Sequence, residues 1–136
     1  LPECRKKCGD RAVLRAFHIY ADNDRVAKQV AALRSNDFST FLSLVTESGN
    51  SSWEYLQNVI PAGYKEHQEM GVTIAAAKHY LNGKGAVRVH GGGFAGTAQA
   101  FVPVEMLDEF KKHMEAILGE GRCHVLSIRP EGGAVL

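Results

Sequence analysis

Four glycines in the six positions Gly91-Gly92-Gly93-Phe94-Ala95-Gly96 constrain this chain more than any other feature. Each costs roughly 0.5–1 kcal/mol relative to alanine in an ordered element, so packing does not account for them. What they supply is backbone that can take positive φ and lie close to another surface. The flanks Arg88-Val89-His90 and Thr97-Ala98-Gln99-Ala100-Phe101-Val102 read as strands, which makes the segment a hairpin loop stripped of side chains. Such a loop suits a phosphate, a sugar face or a second glycine-rich backbone. It is neither the dinucleotide fingerprint G-x-G-x-x-G nor a phosphate loop ending in Gly-Lys-Ser/Thr. A glycine turn without a ligand uses the same residues, and the loop alone does not separate the two readings.

The 136 residues are expected to form a single domain, 1–136, with a core of its own. A formal charge of +1 gives no electrostatic reason to expect nucleic acid or an acidic membrane surface, and no segment approaches a membrane span in length. Cys4, Cys8 and Cys123 make neither a disulfide framework nor a four-ligand zinc set, so a reducing compartment, the cytoplasm, is expected. Because the chain opens at Leu1 without an initiator methionine or a secretory segment, it is expected to be a piece of something longer.

Along the chain, Asp22-Asn23-Asp24 offers an N-cap to a helix bearing Val26, Val30 and Leu33. Asp37 caps a second, with Phe38, Phe41, Leu42 and Val45 on one face. Glu47 to Ser52 reads as a polar break. A third helix is expected over roughly residues 62–81, with Met70, Ile74, Ala77 and Leu81 on one stripe and Asn82-Gly83 as its stop. Two strands follow around the glycine loop. Pro103 then starts a fourth helix carrying Leu107, Phe110, Met114 and Ile117, ended by Gly119 and Gly121. Cys123 to Ile128 reads as a third strand, before a short tail turned by Pro130–Gly133 and ending at Val135-Leu136. A fourth strand would come from the first twenty residues or from that tail. The class this implies is α+β, an antiparallel sheet covered by helices on one face.

The six histidines show no tight metal-ligand spacing, and no nucleophile motif such as G-x-S-x-G is present. His90 stands apart because it abuts the loop, where an imidazole can donate to an anion. Arg88, on a mostly apolar strand, is expected to pair with a carboxylate. The serines at 48, 51 and 52 fit capping and loop solvation as well as a phosphate-binding turn.

The stretch Arg88-Val89-His90-Gly91-Gly92-Gly93-Phe94-Ala95-Gly96-Thr97 resembles the third motif of the galactokinases, A-R-M-T-G-G-G-F-G-G-C, within the superfamily that also holds homoserine, mevalonate and phosphomevalonate kinases. His90, Ala95 and Thr97 depart from it. Residues Arg15 to Val26, RAFHIYADNDRV, resemble that family's R-A-x-H-x-x-x-E-N-x-R-V, with Asp22 for glutamate. Phe41 to Ser48 resembles F-G-x-L-M-x-x-S; the usual S-H-x-S-L continuation becomes Ser48-Gly49-Asn50-Ser51-Ser52, and the P-E-L-D segment after it is not recognisable. The resemblance is to a divergent, bacterial-type branch.

It implies the C-terminal domain of such a kinase, a helix-covered antiparallel sheet of ferredoxin-like type whose glycine loop meets the phosphate loop of the N-terminal half. The galactose motif, the P-x-x-x-G-L-S-S-S-A phosphate motif and the catalytic aspartate belong to that N-terminal, nucleotide-binding half, and none is in this sequence. The expected partners are the N-terminal domain of the same chain and galactose or a related hexose. ATP and Mg2+ serve the intact enzyme, and none is expected to bind the fragment tightly. The fragment itself is expected to hold no catalytic residue and no metal ligand, and to be inactive. Its site residues are the loop His90, Gly91, Gly92, Gly93, Phe94, Ala95 and Gly96, near substrate and phosphate, with Arg88 and Thr97 in support. The rival readings are a non-catalytic sugar- or effector-binding regulatory module of the same fold, and a kinase for a hexose such as N-acetylgalactosamine.

Overall fold

The computed structural model describes residues 1–94 and 96–132. A short exposed helix, α1 (Pro2–Cys8), runs into a long one, α2 (Asp10–Arg34), and α3 (Phe38–Ser51) packs back along it. A π turn over Ser52–Leu56 leads to an irregular stretch and then α4 (Glu69–Leu81). Next come β1 (Ala86–His90) and β2 (Thr97–Phe101), then a 3-10 turn over Val104–Met106 that opens α5 (Leu107–Leu118). The strands pair antiparallel in the register Ala86↔Phe101 through His90↔Thr97.

The α+β class follows from two apolar faces on one short hairpin. Val87 and Val89 point into a core with Ile74, Ala77 and Leu81 of α4, Phe110 and Met114 of α5, and Val59. The opposite face, with Arg88, lies against α3, so closely that a methyl group on Gly49 would come 2.9 Å from the Arg88 Cβ. Phe101, opposite Ala86 in the register, stacks edge-on to Phe41 of α3 at 5.3 Å between ring centroids. Helices therefore cover both faces of the hairpin, not one. Alternation within a strand cannot reveal this when the second face is lined by small and polar residues.

Several boundaries differ from expectation. Asp22 caps nothing: it lies in the middle of α2, and its carboxylate is taken by Ser48 and Arg25. Glu47–Ser52 is no break either, since α3 continues to Ser51 with Ser48, Ser51 and Ser52 buried. Helix α4 starts at Glu69 rather than near 62, because Gly63 sits at φ 86° and the chain turns before Gln68. Its stop is as expected, with Asn82 and Gly83 both left-handed. The Asp37 cap also holds, accepting from Thr40 N at 3.0 Å.

Residues 123–128 are not a strand, and among the described residues the sheet has two strands. Val125, Leu126 and Ile128 remain exposed, with only Cys123 against the core. An apolar run becomes a strand only where a neighbouring ladder takes its N–H and C=O groups. The first twenty residues are helical and add no strand. The expected ending at Val135-Leu136 lies outside the described residues.

Candidate functional site

The glycine segment is the connection between β1 and β2, beginning one residue past the His90↔Thr97 pair. It is held from below by Asn58, which follows the π turn and is buried. The Asn58 main-chain oxygen accepts from Phe94 N at 2.6 Å, and its side-chain Nδ2 donates to Gly92 O at 3.4 Å. Among the loop's described residues, three take positive φ: Gly91 (67°), Gly93 (82°) and Phe94 (63°). A bulky residue there is strained, and strain of this kind gathers at sites where geometry is held for a purpose.

The glycines have different reasons for being glycine. At Gly93 an added Cβ would run into the Asn58 carbonyl, on a backbone already left-handed. Gly91 needs its φ, yet a Cβ there would meet open space. Gly92 has neither reason. Its φ lies outside the left-handed region, and nothing among the described residues comes within 4 Å of a Cβ placed on it. Gly96 faces only ordinary contacts, 3.5 Å from Gly93 O. Gly91, Gly92, Phe94 and Gly96 are all solvent-facing, and the part of the site assigned to Ala95 lies outside the described residues.

His90 is exposed beside the loop, its Nδ1 3.4 Å from Thr97 Oγ1 across the ladder. Arg88 turns away from the loop. Its Nη1 donates to Ser48 Oγ at 2.6 Å and lies 4.0 Å from Asp22 Oδ2, while its Nε donates to the Val89 carbonyl at 3.0 Å. Ser48 in turn donates to Asp22 Oδ1 at 2.5 Å, which also accepts from Arg25 Nη1 at 2.9 Å. His18, one helical turn before Asp22, contacts Ser51 Oγ through Nδ1 at 2.9 Å and brings Nε2 to 3.7 Å from the carboxylate. Arg88 thus ties β1 to α2 and α3 through a shared serine and carboxylate.

The charges in this cluster balance one another. Burial would raise the Asp22 carboxyl, but hydrogen bonds from Ser48 and Arg25 and the charges of His18 and Arg88 together hold it below its ordinary value. Burial pushes the His18 imidazole down; the Asp22 charge opposes this, and Arg25 and Arg88 reinforce it. The net effect favours the neutral form of His18.

Sequence reasoning placed the glycine loop between two strands, put His90 beside it and expected a carboxylate for Arg88, without finding that Asp22 is that carboxylate. It missed Asn58, which nothing in local spacing announces. It also missed the network around Asp22, although the spacing of His18, Asp22 and Arg25 at i, i+4 and i+7 would put them on one helical face once the segment is read as continuous helix. Among the described residues no three His, Cys, Asp or Glu side chains converge as a metal site, and no helix is long and apolar enough to cross a membrane.

No family model matches the chain. It is similar to the galactokinase of Mannheimia succiniciproducens, 31% identical over 101 residues that make up 74% of this chain and 24% of that protein. The galactokinase of Actinobacillus pleuropneumoniae is 30% identical over 109 residues, 80% of this chain and 26% of that protein. That of Glaesserella parasuis is 29% identical over 107 residues, 79% and 26%. The chain spans about a quarter of the length of these curated relatives, a proportion that fits one domain, the C-terminal one indicated by the order of its motifs. Over about three quarters of its length this chain is thus similar to the galactokinases, and its α+β fold is consistent with a C-terminal domain of that family.

Proposed function

We propose that this chain is the C-terminal part of a cytoplasmic sugar kinase that transfers the γ-phosphoryl group of ATP to galactose, giving galactose 1-phosphate. The Gly91–Gly96 hairpin is its surface toward sugar and phosphates. The observation that carries this reading is Gly92, a residue without a side chain where none of the described residues demands it. The vacant space serves something from outside, and in a relative of the galactokinases that something is substrate, nucleotide phosphate or the phosphate loop of the other domain.

Phosphoryl transfer asks a protein mainly to position groups and stabilise charge. The exposed backbone of Gly91 and Gly92 fits that task, because a flat peptide can approach an anion that a side chain would fend off. ATP with Mg2+ supplies the transferred group in the intact enzyme. This chain's part is to hold the loop rigid, through the Phe94–Asn58 hydrogen bond, and to place His90 as a polar contact at its edge. Arg88, with Thr97 at the end of the ladder, supports the loop by fixing β1 beneath it. The chain by itself, without a nucleotide-binding helix or catalytic acid, is expected to be inactive.

The departures at His90, Ala95 and Thr97 from the family's usual loop keep a related hexose such as N-acetylgalactosamine as the second reading. Hexose-dependent ADP release, measured for the chain alone and for the intact protein, tests the proposal. Turnover by the intact protein only, with galactose preferred, is the expected result. Absence of turnover from the intact protein with any hexose would replace the kinase by a sugar- or effector-binding module.

A further inference from the structure

The segment that anchors the glycine loop is itself built at a cost. At the end of α3 the helix widens into a π turn over Ser52–Leu56 and stops on Gln57, which is left-handed at φ 55°. Widened turns of this kind recur at functional sites, where they redirect a side chain that a regular helix would aim elsewhere. Two buried polar atoms flank the segment without a hydrogen-bond partner among the described residues, Ser52 Oγ and Asn58 Oδ1. A strained backbone bordered by unpaired polar atoms persists only when the conformation serves something.

That conformation sets Trp53 and Gln57 on one small cleft. Trp53 is 37% exposed, and Gln57 is exposed beside it. With Val59 and Ile60 they line a space of about 140 Å³. The indole is not loose: Gly71 of α4 lies against its edge, so that a Cβ on Gly71 would come 3.5 Å from Cη2. These four lining residues carry no charge. They offer a fixed aromatic face, an apolar floor, and one amide able both to donate and to accept. The matching ligand is a neutral ring with one apolar C–H face and a hydroxylated edge.

We propose that this cleft is a carbohydrate subsite, in which Trp53 stacks on the C–H face of a hexose and the Gln57 amide hydrogen-bonds its hydroxyls. The choice of galactose as first ligand rests on the kinase reading; the chemistry of the cleft does not. Asn58 joins the two sites, since it follows Gln57 directly and its carbonyl holds Phe94 of the glycine loop at 2.6 Å. A ring seated on Trp53 therefore steadies the residue on which the loop rests.

Trp53 is the single tryptophan of the chain, so its emission reports the cleft without interference. Titration of the 136-residue chain with D-galactose and N-acetylgalactosamine is expected to give a saturable emission change with a roughly millimolar midpoint. Sorbitol, a hydroxylated chain without a ring, should give none. By saturation-transfer NMR, Trp53→Ala should abolish the hexose signal. Gln57→Gly should weaken binding about tenfold, as loss of one such hydrogen bond does. Glycine adopts the φ of 55° without strain, so that variant keeps the fold. Emission unmoved by either hexose, an equal response to sorbitol, or an undiminished NMR signal in Trp53→Ala would each overturn the subsite. The kinase reading is separable: a hexose signal from the chain that survives Trp53→Ala, with turnover of the intact enzyme lost in Gly92→Val, refutes the subsite alone. Hexose binding at Trp53 in an intact protein without kinase activity refutes the kinase alone.

Discussion

Gly92 and Gly93 are neighbours with opposite reasons for lacking a side chain, and substituting each separates a turn from a functional surface. At Gly93 a methyl group meets the Asn58 carbonyl, on a backbone at φ 82°. Holding an L-residue left-handed costs about 1–2 kcal/mol. Pushing the loop off Asn58 removes the Phe94–Asn58 hydrogen bond, about another 0.5–1.5 kcal/mol. Gly93→Ala should thus lower the melting temperature by roughly 6–12 °C in a domain of this size. Gly92→Ala meets no atom of the described residues within 4 Å and no left-handed φ. It should be neutral or stabilising by about 0.4–1 kcal/mol, through the restricted unfolded chain. In the intact enzyme the order reverses. A branched side chain in Gly92→Val protrudes into the space that the proposed function gives to substrate or phosphate, and misplacement by about 1 Å costs roughly a hundredfold in rate. Melting curves of the chain and hexose-dependent ADP release by the intact enzyme measure the two effects. Near-normal kcat in Gly92→Val with an intact fold would reduce the loop to a turn. Equal destabilisation at both positions would refute the steric distinction between them.

Acid should loosen the fold in two stages. His18 has a lowered folded-state pKa, so its contribution is complete above its unfolded value of about 6.5 and is lost as pH falls from there toward the folded value. Asp22, also lowered, contributes above its unfolded value of about 3.8 and loses that contribution as pH falls further, through its folded value. Thermal melts should therefore decline as pH falls below about 6.5, and His18→Gln should flatten that part of the curve. Gly49→Ala forces a methyl to 2.9 Å from the Arg88 Cβ and 3.1 Å from the Val87 carbonyl, and should cost about 1–3 kcal/mol by urea unfolding. Arg88→Met takes a donor from Ser48 and a nearby cation from Asp22 and should cost about 1–3 kcal/mol; an unchanged urea midpoint would show that Ser48 and Arg25 suffice for the carboxylate.

The sequence by itself determined whatever depends on local chemistry. The α4 stripe of Ile74, Ala77 and Leu81, the Asp37 cap, the Asn82-Gly83 stop and the glycine hairpin between two short strands all follow from periodicity, capping and positive φ. Tertiary structure decided where those rules compete with distant partners. Asp22 has the chemistry of an N-cap, but Ser48 and Arg25 offer its carboxylate better partners inside a longer helix. Ser48 and Ser51 look like a loop until Asp22 and His18 satisfy their hydroxyls in the interior. Cys123 to Ile128 has the composition of a strand and no ladder among the described residues to join. The candidate site divides in the same way. The glycines were visible because backbone freedom is a property of the residue, whereas Asn58 was not, because its role exists only once the loop has folded down onto it.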